Sequence, residues 1–252
     1  MIIHEIKTEL LKEKRSANSK LLIIVPIIFA LFSLVMNLLM GPSPNGRSNF
    51  VAAAFNWYPL MILPSIISLF VCNIINKEYS HHIILNKMCD YKLINFYLSK
   101  CFVVVIETAI IILISSVLTF IICKLLGQYI LLSQLLMASL ALLIGSIPIM
   151  LISFILKYVF NNIFVIIINF IAGLAASIVS TSKLWILYPW SLNLRFMASI
   201  LKIHPNGTFL KSTDKLAQVI NTPNILVISV LDCLFLLIFY IYIINLKKDK
   251  SE

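Results

Sequence analysis

Residues 101–123 read CFVVVIETAIIILISSVLTFIIC, a run in which Glu107 is the one charged side chain. An α-helix rises 1.5 Å per residue, so a run of about 20 apolar residues matches the roughly 30 Å hydrocarbon core of a bilayer. Such a helix satisfies its own backbone where there is no water. Comparable runs recur at 21–40, 55–75, 135–156, 163–182 and 225–245. The sequence therefore predicts an all-α membrane protein with six transmembrane helices.

The composition favours a chain that lies almost wholly in the membrane. The sequence is 61% hydrophobic and 12% charged, with a mean hydropathy of +1.02. Its most polar stretches, 1–20, 76–100 and 183–224, are too short to bury cores of their own. We therefore expect an interfacial helix over 1–20, followed by one six-span membrane domain over 21–252, with no fused soluble domain.

The positions of the basic residues indicate an orientation. With both termini in the cytoplasm, thirteen of the 20 Lys and Arg residues lie on the inner side and seven on the outer side. Five of those seven fall in the long stretch 183–224, where charge constrains orientation weakly, so the positive-inside rule favours this topology. The net charge of +10 is then expected to meet anionic lipid head groups and partner proteins, not nucleic acid.

The first polar stretch, 1–20, has the pattern of an amphipathic helix. Ile3, Ile6 and Leu10 recur at helical spacing among lysines. This arrangement is typical of a helix that lies in the inner membrane interface with its apolar side in lipid. The alternative is an ordinary charged cytoplasmic tail.

The second polar stretch, 76–100, is predicted to face the cytoplasm between spans two and three. Ile84, Met88 and Tyr91 recur there at helical spacing. A short amphipathic helix of this kind fits a groove on a soluble partner. We therefore expect 76–100 to be a segment that couples this chain to another protein.

The residues that carry enzyme chemistry do not converge. The four histidines, at positions 4, 81, 82 and 204, lie outside the predicted spans, and the five cysteines form no CxxC pair. A membrane enzyme needs a nucleophile, a base or metal ligands that meet at membrane depth. We therefore expect free thiols, no metal site and no catalytic activity in this chain.

Two carboxylates, Glu107 and Asp232, fall inside predicted spans. A charge in hydrocarbon is costly, so each should face the protein interior or a watery cavity. Their spans place them at different depths, so a proton-relay pair is not implied. Each is either a neutral, hydrogen-bonded packing residue or a functional carboxyl group.

Aromatic residues gather at the predicted outer side, at the head of span two and in the segment 183–224. The group comprises Trp57, Tyr58, Trp185, Tyr188 and Trp190. Trp and Tyr anchor helices at the membrane interface, while their ring faces also attract cations. They are therefore either anchors or contacts for a cationic, amphipathic substrate. The length and apolar character of 183–224 predict interfacial or re-entrant helices before the last span.

This order of features, from basic N-terminal helix to apolar outer segment, resembles the permease subunits of type II ABC exporters. Two local stretches resemble the bacterial lantibiotic-immunity permeases of the MutE/EpiE type. The first is Phe55-Asn56-Trp57-Tyr58-Pro59, and the second is Tyr188-Pro189-Trp190-Ser191 followed by Ile203-His204-Pro205-Asn206-Gly207.

The resemblance implies that ATP hydrolysis and the transport pathway belong to different subunits. A separate cytoplasmic ABC ATPase, expected in two copies, would use ATP and Mg²⁺ and move the segment around Ile84–Tyr91, while this chain binds no cofactor. A second permease chain, similar or identical, would complete the pathway. The implied function is export of lantibiotic-type antimicrobial peptides from the bacterial cell membrane, which gives immunity or antibiotic resistance. The alternatives are export of another amphiphilic peptide or antibiotic, and a non-transporting membrane scaffold or sensor partner.

Overall fold

A computed structural model describes residues 2–41, 48–77, 93–211, 213–214, 216–217 and 220–249. Within these ranges the regular structure is helical, apart from one isolated bridge between Ile203 and Phe209. The helices are α1 (Ile2–Glu13), α2 (Ala17–Leu39), α3 (Asn49–Trp57), α4 (Leu63–Asn76), α5 (Leu93–Leu125), α6 (Leu132–Val159), α7 (Asn162–Val179), α8 (Ser191–Ile200) and α9 (Thr222–Asp249).

Six stretches of helix are long and apolar enough to cross a membrane: α2, α3 with α4, α5, α6, α7 and α9. The all-α fold with six spans is thus confirmed. The largest difference in bounds is in the third span, since α5 starts at Leu93 instead of residue 101. Its 33 residues correspond to about 50 Å of helix, longer than a hydrocarbon core, so α5 extends beyond the membrane thickness.

The second span is interrupted by a π-helical turn, Tyr58–Ile62, which separates α3 from α4. This turn contains Pro59, whose ring lacks the N–H that a regular helix uses. The turn lies against α7 at Gly173, where an added Cβ would collide with the Leu60 carbonyl oxygen. Glycine at this point lets two helices approach closely, as small residues do in membrane bundles.

The spans form an inner and an outer set. In the most apolar 18 residues of the second and fourth spans, 67% and 61% of the residues are buried. In α2, α7 and α9 this share is 22% or less. The core therefore lies where α4 packs on α6, with α5 beside them. The outer helices α2, α7 and α9 turn Ile, Leu and Phe side chains outward, as helices facing lipid or another membrane chain must.

The segment before the last span folds into the bundle. A short 3₁₀ helix, Lys183–Leu187, leads into α8, in which Ser191–Ser199 are all buried. This helix packs on α6, α7 and α9, with Gly145 of α6 directly beneath Asn193. The predicted partly helical outer segment is present. Its main helix is enclosed by protein, and its polar side chains each make at least one hydrogen bond, namely Ser191, Asn193, Arg195 and Ser199.

Helix α1 packs along α5 through its acidic face. Glu5, Glu9 and Glu13 are spaced four residues apart and are buried, whereas Ile3 is exposed on the opposite side. The helix expected within 1–20 is present, and its location in the membrane interface stays a prediction.

The contact between Gly173 and the π-helical turn is testable. We expect Gly173→Leu to lower the stability of the purified protein by about 1–3 kcal/mol, because the added atoms must push α7 away from Leu60. Thermal unfolding in detergent measures this. Ile171→Ala removes atoms from the exposed face of the same helix and should have a much smaller effect. Equal shifts for the two variants would contradict the close packing.

Candidate functional site

Charged and polar side chains from α1, α2, α4 and α5 meet at the end of the bundle where α1 lies. We call this set the polar network. It comprises Glu9, Glu13, Asn18, Asn73, Lys77, Lys100 and Glu107.

Lys100 is the most deeply buried cation of the polar network, with 1% of its surface exposed. Its Nζ donates to Glu9 Oε2 at 3.0 Å and to the Ile74 carbonyl at 3.4 Å, and lies 4.6 Å from the centre of the Phe96 ring. The other Glu9 oxygen accepts from Lys12 at 2.6 Å. A buried ion is tolerated only when it is paired and hydrogen-bonded, so these contacts join α1, α4 and α5.

Glu107 lies two helical turns further along α5 and is 3% exposed. Its Oε2 accepts a hydrogen bond from Asn18 Nδ2 at 2.9 Å, and Asn18 Oδ1 accepts from Asn73 Nδ2 at 2.8 Å. The Glu13 carboxyl lies beside that of Glu107, and Glu13 Oε1 is 2.5 Å from Lys77 Nζ. Lys77 therefore supplies a counter-charge for Glu13, and the Asn18 amide supplies a hydrogen-bond donor for Glu107.

The two intramembrane carboxylates predicted from the sequence have different surroundings. Glu107 faces the protein interior and belongs to the polar network. Asp232 is partly buried on α9, outside this network, and within the described ranges its Oδ2 has no hydrogen-bond partner.

The predicted coupling residues Ile84, Met88 and Tyr91 lie outside the described residues. Two members of the polar network flank these residues in the sequence. Lys77 directly follows α4, and Lys100 lies in the first two turns of α5. Both lysines are paired with glutamates of α1. The chain on either side of the predicted coupling segment is thus attached to the same helix.

Three of the five aromatic residues form one cluster at the opposite end of the bundle. Trp57, Tyr188 and Trp190 pack against a small buried cluster, which consists of Leu60, Ala176 and Leu194. Trp190 Nε1 donates to Asn169 Oδ1 at 3.2 Å, and the Tyr188 hydroxyl donates to the Ala172 carbonyl at 2.7 Å. Burial raises the pKa of Tyr188. The cluster therefore attaches the segment after α7 to the side of α7.

Trp185 lies apart from that cluster and stacks on Arg195, whose guanidinium carbon is 4.5 Å from the ring centre. Arg195 is 3% exposed, and burial lowers its pKa to about 10, so it stays charged at neutral pH. Its Nε donates to the Ser180 carbonyl at 2.6 Å and an Nη atom to that of Ser182 at 3.3 Å. These carbonyls follow the end of α7, where helical partners are missing. Arg195 therefore caps α7.

Tyr58 points into the bundle, away from the other four aromatic residues predicted as substrate contacts. It is 3% exposed, its ring centre is 4.6 Å from that of Phe29, and its oxygen accepts from Ser115 Oγ at 3.2 Å. With Ser116 and Thr119 it lines a small internal cavity. A substrate at the aromatic cluster would therefore meet Trp57 and not Tyr58.

Asn56 makes a contact that sequence reasoning did not find. With the amide in the orientation that its neighbours require, its Nδ2 donates to the Pro205 carbonyl at 3.1 Å, and its Oδ1 accepts from the Gly207 amide at 3.2 Å. Gly207 has φ of +89°, a conformation that favours glycine. The two stretches that carried the family resemblance are therefore in direct contact, with the Pro205–Gly207 turn held against the second span.

A bundle of six apolar spans with a buried ionic network at one end is the architecture of a multi-pass membrane protein. The family described as ABC-2 family transporter protein matches residues 5–179, which extend from α1 to the end of α7. Because this is more than half of the sequence, the chain belongs to the ABC-2 transporter family. Comparison with curated proteins and with solved structures returned no match.

The role of Glu107 in the polar network predicts a graded response to substitution. Glu107→Leu would leave the buried Asn18 amide with only its longer hydrogen bond, to the Phe70 carbonyl at 3.4 Å, so we expect a loss of about 1–3 kcal/mol of stability. Glu107→Gln keeps an acceptor oxygen and should lose less. Thermal unfolding of the purified variants measures both, and a Leu variant as stable as the Gln variant would contradict the assignment.

The contact of Asn56 with the Pro205–Gly207 turn gives a second graded series. Asn56→Ala removes both hydrogen bonds, whereas Asn56→Asp keeps the acceptor for Gly207 and loses the donor to Pro205. We expect protease cleavage near residue 206 to be fastest in the Ala variant, intermediate in the Asp variant and slowest in the unaltered protein. Identical cleavage rates would show that Asn56 does not hold the turn.

Proposed function

We propose that this chain is the permease subunit of a bacterial ABC exporter that expels lantibiotic-type antimicrobial peptides from the cell membrane, giving immunity or resistance. The observation that carries the proposal is membership of the ABC-2 transporter family over α1 to α7. The proposed orientation places both termini in the cytoplasm, so that α1 and the polar network lie on the side of the ATPase.

The energy would come from a separate ABC ATPase, expected in two copies, that binds ATP and Mg²⁺. We propose that Ile84, Met88 and Tyr91 contact it. Lys77 and Lys100 lie on either side of these residues in the chain, and both are paired with α1. A displacement of the coupling segment would therefore also move α1 and α5, because the ion pairs that connect them are unfavourable to break when buried.

A second permease chain, similar or identical, would complete the pathway. The apolar outer faces of α2, α7 and α9 support this, since they suit either lipid or another membrane helix.

The proposed peptide contact is the cluster of Trp57, Tyr188 and Trp190, whose rings are partly exposed. Aromatic faces attract cationic groups and also suit the interface between lipid and water. Trp185 is a weaker candidate because Arg195 already covers one face of its ring.

The substitution Met88→Asp tests the proposed coupling. A carboxylate on the apolar stripe of the coupling segment should reduce co-purification of the ATPase by about tenfold or more, because its desolvation opposes docking. Asn86→Asp adds the same charge off the stripe and should have little effect. Affinity purification of the co-expressed complex from membranes measures this. Equal losses in both variants would contradict docking through the stripe.

Peptide release separates the candidate functions. Cells or vesicles loaded with a lantibiotic should release it only when both the permease and an ATP-hydrolysing ATPase are present. Equal release of an unrelated amphiphilic peptide would favour the broader exporter. Binding of the ATPase with no release of either peptide would favour the scaffold or sensor function.

A further inference from the structure

A groove of about 460 Å³ runs between α1, α2 and α5, and none of the functions considered above uses it. This volume falls within the range of roughly 300–1,000 Å³ that is typical of small-molecule sites. Lys7 and Lys14 stand at its rim, and its walls are apolar, formed by Leu11, Leu22, Ile106 and Ile110.

The rim carries two cations, Lys7 on α1 and Lys14 directly after its last residue. Lys7 and Lys14 are exposed and seven residues apart, which places them two turns apart and about 10 Å along the axis. Their flexible stems let both ammonium groups approach one anionic group between them. In the part of the chain that the structure describes, the ion pairs of the lysines and carboxylates involve neither of these two.

The interior of the groove suits a hydrocarbon chain. Ile106 and Ile110 lie on α5 and Leu22 on α2, within spans that cross the membrane. Glu13 and Glu107 also line the groove, but both are buried and belong to the polar network. The free positive charge is therefore at the rim, and the accessible walls are apolar.

We propose that this groove is a binding site for an anionic phospholipid of the leaflet on the α1 side. Its phosphate would lie between Lys7 and Lys14, and one acyl chain would lie along Leu22, Ile106 and Ile110. The charge of the rim matches a phosphate and opposes a cationic peptide, so this occupant differs from the proposed transport substrate. The bound lipid would contact α1, α2 and α5 together.

The site is tested with the full chain in lipid nanodiscs that contain phosphatidylglycerol with a photoreactive diazirine on one acyl chain. Illumination should label peptides that contain Leu22 or Ile106–Ile110. The variant K7Q/K14Q should reduce this labelling by about tenfold or more, since each lysine near an anionic head group contributes about 1 kcal/mol.

The matched control is R15Q/K20Q, which removes the same charge from exposed residues near the same helix end that do not line the groove. It should leave the labelling nearly unchanged. Equal losses in the two double variants would overturn the proposal, because they would indicate diffuse attraction to anionic lipid. Thermal unfolding of each variant excludes misfolding as the cause.

Two further measurements test separately how the phosphate and the acyl chain contribute to binding. Ile110→Trp fills the groove without altering charge, and it should also abolish the labelling. Inorganic phosphate at millimolar concentration should not displace the labelled lipid. Displacement by inorganic phosphate, or unchanged labelling in Ile110→Trp, would overturn a lipid site. These readouts need no ATPase and no peptide, so they stand apart from the proposed export activity.

Discussion

The buried ammonium group of Lys100 is the constraint on which the α1 end of the molecule depends. A cation with 1% exposure needs a close counter-charge, and Glu9 provides it from a helix outside the membrane spans. This requirement holds α1 against α5 and sets the buried side of α1. On the same side of α1, Glu13 forms an ion pair with Lys77 and lies beside the Glu107 carboxyl. The exposed side of α1 carries Lys7, Leu10 and Leu11, which line the groove.

The number and type of spans were predictable because a bilayer imposes a length and a composition on every crossing helix. The buried face of α1 was also present in the sequence, as glutamates four residues apart at Glu5, Glu9 and Glu13. It was missed because Ile3, Ile6 and Leu10 form a competing apolar pattern. A pattern within one helix cannot show which face has a partner, since Lys77 and Lys100 lie far away in the chain.

The aromatic residues at the end of the bundle opposite α1 were likewise only partly predictable. The aromatic residues were identified from their types, but the sequence could not show that Tyr58 points inward while Trp57 packs with Tyr188 and Trp190. The enclosure of α8 depends on hydrogen bonds and close packing with other elements, such as Arg195 to the Ser180 carbonyl and Asn193 over Gly145. The Asn56 contact joins residues about 150 positions apart. Sequence patterns within a single helix or turn cannot predict such a contact.

The π-helical turn at Tyr58–Ile62 has a consequence for the opposite end of the same span. Compared with a continuous α-helix, a π turn accommodates one additional residue, and each residue corresponds to a rotation of about 100°. Deleting one residue there would restore regular winding and leave the orientation of the helix that follows, down to Asn73 and Lys77, almost unchanged. A one-residue deletion within the regular part of α4 would instead rotate Asn73 and Lys77 by about 100° away from Asn18 and Glu13.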